Sequence, residues 1–260
     1  MAGCSGPQRP IAAASGLSSW AQLCRSLGRD PSGAVDRPSA LRLALRAASQ
    51  ERTVAVVGAL SVLGGGVVAS VAQRAGPTAD FVSILGVPGR RMAWAFRAGQ
   101  GVAAAAAVRL GGAAVTATTT GDGRRRWRDV VKSEPRGAAA LAAGCLLALL
   151  AAVPCSEACP IPLVEGTRMA LRDWVHVPAA VACFYLWPVA AHGATRRLLV
   201  ANLVVLSPFT LTDPHGSANA VLQRTMVTLA AAALVCWQPT GPASAPALET
   251  ATCRLDGRCP

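Results

Sequence analysis

The sequence predicts an all-α protein, a polytopic membrane helix bundle of six transmembrane helices with both termini cytoplasmic. Three observations carry this expectation. Hydrophobic residues make up 52% of the 260 and charged residues only 15%, where soluble domains hold about 25% charged residues. Apolar stretches of the roughly 20 residues needed to cross a ~30 Å hydrocarbon layer recur between residues 53 and 238. Arginines and the single lysine collect between alternate stretches, the pattern that sets orientation.

The first span, Thr53–Gln73, is uncharged and closed by Arg52 and Arg74. Its glycines 64–66 would weaken a soluble helix, but in lipid small residues let helices approach closely. Met92–Ala117 carries Arg97, Gln100 and Arg109. An arginine in mid-span costs about 2.5–3.5 kcal/mol on insertion scales, so these side chains are expected to snorkel or face the protein interior. Gly137–Val153 is bounded by Arg136 and Pro154, and Trp174–Thr195 holds Pro178 in its first turns and Pro188 as an expected kink. Leu198–Thr212 reaches only ~22 Å, so it spans only with Arg196 and Arg197 snorkelling. Ser217–Trp237 includes Gln223 and Arg224 in its first half.

With the N-terminus inside, the inner segments hold seventeen basic residues and the outer segments five, which places both termini in the cytoplasm. Trp94, Trp174 and Trp237 at span ends fit an interfacial belt. Residues 1–52 form a cytoplasmic tail, mostly disordered, with one short helix around PSALRLALRAASQER, and residues 239–260 form a disordered cytoplasmic tail rich in Pro, Ala and Ser. The N-terminus lacks the continuous apolar core of a signal peptide. A net charge of +12 does not indicate nucleic acid, because the basic residues lie between apolar runs instead of along one face. Partners expected are the bilayer itself and anionic lipid at the basic 124–136 loop, which otherwise only fixes orientation. No cofactor is implied.

The outer segments collect the unusual polar residues. Asp173 and His176 fall on one helix face at i, i+3, where a carboxylate can orient an imidazole. Asp80 and Ser83 repeat the offset before the second span. Arg224 calls for an acidic partner, Asp80 or Asp173. Two readings of the cluster Asp80, Ser83, Asp173, His176, Gln223 and Arg224 stand side by side: a structural ion pair with helix caps, or a site for a ligand, proton or metal. Cys155 and Cys159 in PCSEACPIP form a local disulfide, a metal site, or two unpaired thiols. Cys145, Cys183 and Cys236 lie in spans and read as small apolar residues. His192, ~24 Å from His176 along a straight helix, cannot share a metal with it.

Four stretches, ADFVSILGVPGRRMAWAF, PCSEACPIP, DWVHVPAA and LQRTMVTLAAAALVCW, resemble in order and placement the bacterial integral-membrane family catalogued as domain of unknown function 998. The resemblance covers roughly residues 53–238 and implies a six-helix bundle with no established reaction. It points to Asp80, Ser83, His176, Gln223 and Arg224; Arg97 and Gln100 depart from its apolar second span. A more distant similarity is to membrane-embedded hydrolases of the alkaline ceramidase type, for which Ser83, Asp173, His176 and His215 would serve, the two histidines as metal ligands. The chain has no H-x-x-x-H pair, and a catalytic zinc usually has three protein ligands. The leading expectation is therefore an integral membrane protein that binds a lipid or small molecule at the outer face, with a metal-dependent hydrolase and a small transporter as alternatives. No catalytic residue is assigned.

Overall fold

The computed structural model of the chain describes residues 37–74, 82–119, 127–156, 159, 170–213 and 216–238. The expectations for Asp80, His215, Arg124 to Arg126 and the two tails beyond residues 36 and 238 lie outside them. Among the described residues there are seven α-helices, one 3-10 helix and no strand: α1 Arg37–Gln73, the 3-10 turn Val82–Gly86, α2 Ala93–Thr119, α3 Trp127–Ser133, α4 Pro135–Ala152, α5 Leu171–Ala190, α6 Gly193–Thr212 and α7 Ser217–Val235. The chain divides into two compact units at Gln50, and the helix bundle belongs to the unit that starts at Glu51.

Four helices are long and apolar enough to cross a membrane: α1 over Arg46–Gln73, α4, α6 and α7. The other two predicted spans are also helical, but α2 carries Arg97, Gln100 and Arg109, and α5 carries Arg172, Asp173, His176 and two prolines. The apolar surface faces outward as well as inward. On α1, Ala55, Ala59, Val62 and Ala69 are buried while Val57, Leu60, Val67 and Val71 are exposed. An exposed apolar face of this kind suits a lipid solvent better than water.

The helix boundaries differ from expectation in two places. The segment around PSALRLALRAASQER is not a separate short helix but the start of α1, which is one helix of 37 residues. The helix of the fourth predicted span, α5, ends at Ala190, short of the predicted Thr195, and α6 begins at Gly193, where φ is +57°. Glycine adopts that left-handed conformation without a Cβ penalty, so the chain turns there. As a result the fifth predicted span is longer than expected. Arg196 and Arg197 lie in the first turns of a 20-residue helix, enough for about 30 Å.

α4 is the centre of the packing, with its most extensive contacts to α2 and α5. The helices meet through alanine and glycine. Ala140 and Ala143 of α4 and Ala107 and Leu110 of α2 are fully or almost fully buried. Gly111 of α2 lies so close to α4 that a Cβ built on it would run into the backbone nitrogen of Leu141 and the Gly137 carbonyl oxygen. Neighbouring Gly112 meets nothing within 4 Å.

This pair yields a test of the packing. Gly111→Leu is expected to cost at least the ~1–3 kcal/mol typical of overpacking, read as a lower thermal unfolding midpoint in detergent, whereas Gly112→Leu leaves the midpoint within error.

Candidate functional site

α4 is capped at both ends. At its N-terminus Glu134, 4% exposed, accepts a hydrogen bond from the Gly137 amide at 3.2 Å, and Pro135 follows at the first helical position. A Glu-Pro pair entering an apolar run is the start signal that sequence reasoning passed over. At the C-terminus the last carbonyls have no intrahelical donor. Two neighbours supply them: Arg97 of α2 donates through Nε to the Ala151 oxygen at 2.8 Å, and His176 of α5 places Nδ1 2.8 Å from the Val153 oxygen. Arg97 thus faces the protein, and its positive charge sits at the negative end of the α4 dipole.

The segment leaving α4 is held by Asp173. Its Oδ1 accepts from the Ser156 amide at 2.7 Å. Cys155 is joined to Cys159 in a disulfide with a Cα–Cα separation of 5.3 Å, and its Sγ lies 3.3 Å from Asp173 Oδ1. A disulfide sulfur carries no proton, so that approach is a packing contact and not a hydrogen bond. Asp173, Cys155 and His176 are all buried.

Asp173 and His176 do share a helix face, but the carboxylate does not orient the imidazole. The Val153 carbonyl does. A carbonyl oxygen only accepts, so Nδ1 carries the proton and neutral His176 presents a lone pair on Nε2. That Nε2 is buried and has no hydrogen-bond partner, as does Asp173 Oδ2. Nor does Asp173 serve as counter-ion to Arg224, whose Nη1 donates to Ser70 Oγ of α1 at 3.2 Å.

Beside these residues lie two cavities. The inner one, about 60 Å³, is enclosed by α1, α2, α4, α5 and α7 and lined mostly by apolar side chains such as Val62, Phe96 and Trp187. The outer one, about 390 Å³, is a groove between α5 and α6 with Gln223 of α7 at its edge. Val181, Tyr185 and Leu211 line it and are also exposed, so it opens sideways from the bundle. Ser83, His176, Ala180 and Phe184 line both cavities. His176, Thr210, Gln223 and Ser83 line the groove together with the apolar Ala180, Val181, Phe184 and Leu203, and at the Tyr185 end the Tyr185 hydroxyl lies 3.5 Å from that of Ser207.

Of the six residues expected to form the cluster, Ser83, His176 and Gln223 therefore meet at the groove. Asp173 lies beneath it, Arg224 turns to α1, and Asp80 is outside the described residues. The groove itself left no sequence signal, because its walls are ordinary apolar positions of α5 and α6. Sequence reasoning also passed over Gln73, whose Nε2 lies 3.0 Å from both the Leu85 and Arg91 carbonyls and ties the 3-10 turn to the end of α1. No family model, no curated protein and no solved structure matches the chain.

Removing the Asp173 carboxylate leaves the Ser156 amide without its acceptor, at ~1–3 kcal/mol. Asp173→Ala is expected to lower the unfolding midpoint by that measure and Asp173→Asn to restore most of it. Exposed Asp129→Ala serves as the control that leaves the midpoint in place.

Proposed function

We propose that the protein binds a single-chain amphiphile in the groove between α5 and α6, with its headgroup at His176 and its chain running along Ala180, Val181 and Phe184. The observation that carries this is the buried, unpartnered Nε2 of His176 in the wall of a groove that opens sideways. A lone pair there selects a hydrogen-bond donor, so the headgroup is a hydroxyl or an amide N–H. From His176 to Tyr185 the groove follows about 14 Å of helix, at ~1.5 Å per residue. Ser83 and Gln223 add polar groups to the same groove.

The probe is a monoacylglycerol against the fatty-acid methyl ester of the same chain, which has no donor. Monoacylglycerol is expected to bind about tenfold tighter, the effect of one hydrogen bond of ~1–1.5 kcal/mol, by titration of the detergent-solubilised protein. The preference disappears in His176→Phe, and Ala180→Trp, which fills the groove, abolishes binding of both. Equal affinity for the two compounds, or binding indifferent to Ala180→Trp, overturns the reading.

The setting we propose is a cell membrane crossed six times, with both termini cytoplasmic and the His176 end outside. The basic distribution supports this, and so does the alternation of helix ends, which brings Gln73, Ala93, Ala152, Leu171, Thr212 and Ser217 to one side in an up-and-down bundle. Exposed Arg128 and Lys132 on α3 would then face anionic lipid on the inner side. In a cysteine-free background, an impermeant maleimide added to intact cells is expected to label Arg91→Cys and to spare a cysteine restored at position 253. The reverse pattern inverts the topology.

A further inference from the structure

The residues around the disulfide form a second set, which shares His176 and Cys159 with the groove wall. Cys155 and Cys159 Sγ and one ring nitrogen of His176 all lie within 4.8 Å of one another, and all three residues are buried. Two thiolates and an imidazole are the donors that zinc-class ions prefer. With Zn–S bonds of about 2.3 Å, tetrahedral coordination separates two sulfurs by roughly 3.8 Å. Opening the disulfide frees the two sulfurs to separate to that distance, with the histidine already beside them.

The histidine is prepared for the same role. Its Nδ1 proton is held by the Val153 carbonyl at 2.8 Å, the outer-sphere arrangement that fixes the tautomer of a metal-binding imidazole and leaves Nε2 as the donor. That Nε2 is buried without a partner. Asp173, whose Oδ1 lies 3.3 Å from Cys155 Sγ and holds the Ser156 amide, fixes the segment that carries Cys155 and leaves the fourth position to water. Two thiolates also neutralise a divalent cation, which removes most of the cost of burying it.

We propose that the reduced protein binds one zinc-class divalent cation through Cys155, Cys159 and His176, with water completing the shell, and that the disulfide is the metal-free alternative. The step needs a thiol reductant. Two equivalents of thiol transfer two electrons and two protons to the disulfide, leaving two cysteine thiols and one reductant disulfide. Binding of the cation then releases the two thiol protons to solvent. The proposal stands whether or not an amphiphile enters the groove, and its test contains no lipid.

The full-length protein is used with tail residues Cys4, Cys24, Cys253 and Cys259 replaced by serine, so that they cannot compete. It is reduced with a phosphine, freed of reductant without air and titrated with Co²⁺. One equivalent is expected to bind with a near-ultraviolet thiolate-to-cobalt charge-transfer band that Zn²⁺ displaces, and the oxidised protein gives no band. Cys155→Ser with Cys159→Ser abolishes the band, and His176→Ala weakens binding at least tenfold. X-ray absorption on the zinc-loaded protein, which requires no site variant, is expected to show two sulfur and two lighter ligands. A reduced protein without the band, a His176→Ala variant of unchanged affinity, or a zinc shell without sulfur overturns the proposal.

Discussion

The C-terminal end of α4 is the constraint on which the rest depends. A helix leaves its last carbonyls without donors, and in an apolar solvent each such group costs several kcal/mol if nothing answers it. Here the donors come from two other helices, Arg97 of α2 and His176 of α5. This explains two residues that looked misplaced in apolar sequence. Each is the terminal cap of a neighbouring helix, and together they fix the register of α2 and α5 against α4. At the opposite end Glu134 supplies the acceptor for one of α4's first amides, that of Gly137.

The second determinant is size. Apolar side chains gain little from leaving lipid for a protein interior, so helix association in a membrane rests on close van der Waals packing and on interhelical hydrogen bonds. The runs of alanine and glycine in α2 and α4 serve the first need, as Gly111 against the α4 backbone shows. Arg97, His176 and the Asn202 amide on the Leu222 carbonyl serve the second. Larger side chains on α1 and α6, such as Leu60 and Val204, are instead turned outward.

Helices and their order were legible in the sequence, because uncharged length is a strong signal and every predicted span contains a long helix. Limits were less so. The break before α6 depends on two extended residues, Ala191 and His192, and the left-handed Gly193, and nothing in a hydropathy pattern distinguishes them from a helix interior. At the site, Asp173 and His176 could be picked out as one helix face, but not their partners, Ser156 and Val153. Those are backbone groups of the preceding segment, and any residue type supplies them. That Arg224 also donates to Ser70 was hidden for a related reason: charge complementarity is readable from residue names, while a neutral hydroxyl gives no such cue.

His176 is both a cap and a free ligand atom. Its Nδ1 is committed to α4, which forces the lone pair of Nε2 into a buried position with nothing to accept. The structural role therefore creates the chemical one, since the same hydrogen bond that holds two helices together fixes the tautomer. An unanswered buried acceptor costs about 1–3 kcal/mol, and anything that donates to it or coordinates it recovers that energy. A hydroxyl entering from the groove approaches past Val181 and Tyr185, whereas a cation is met by Cys155 and Cys159 only after their bond has opened. Both proposals call on one nitrogen atom, so under them the state of a single cysteine pair would decide which ligand that nitrogen meets.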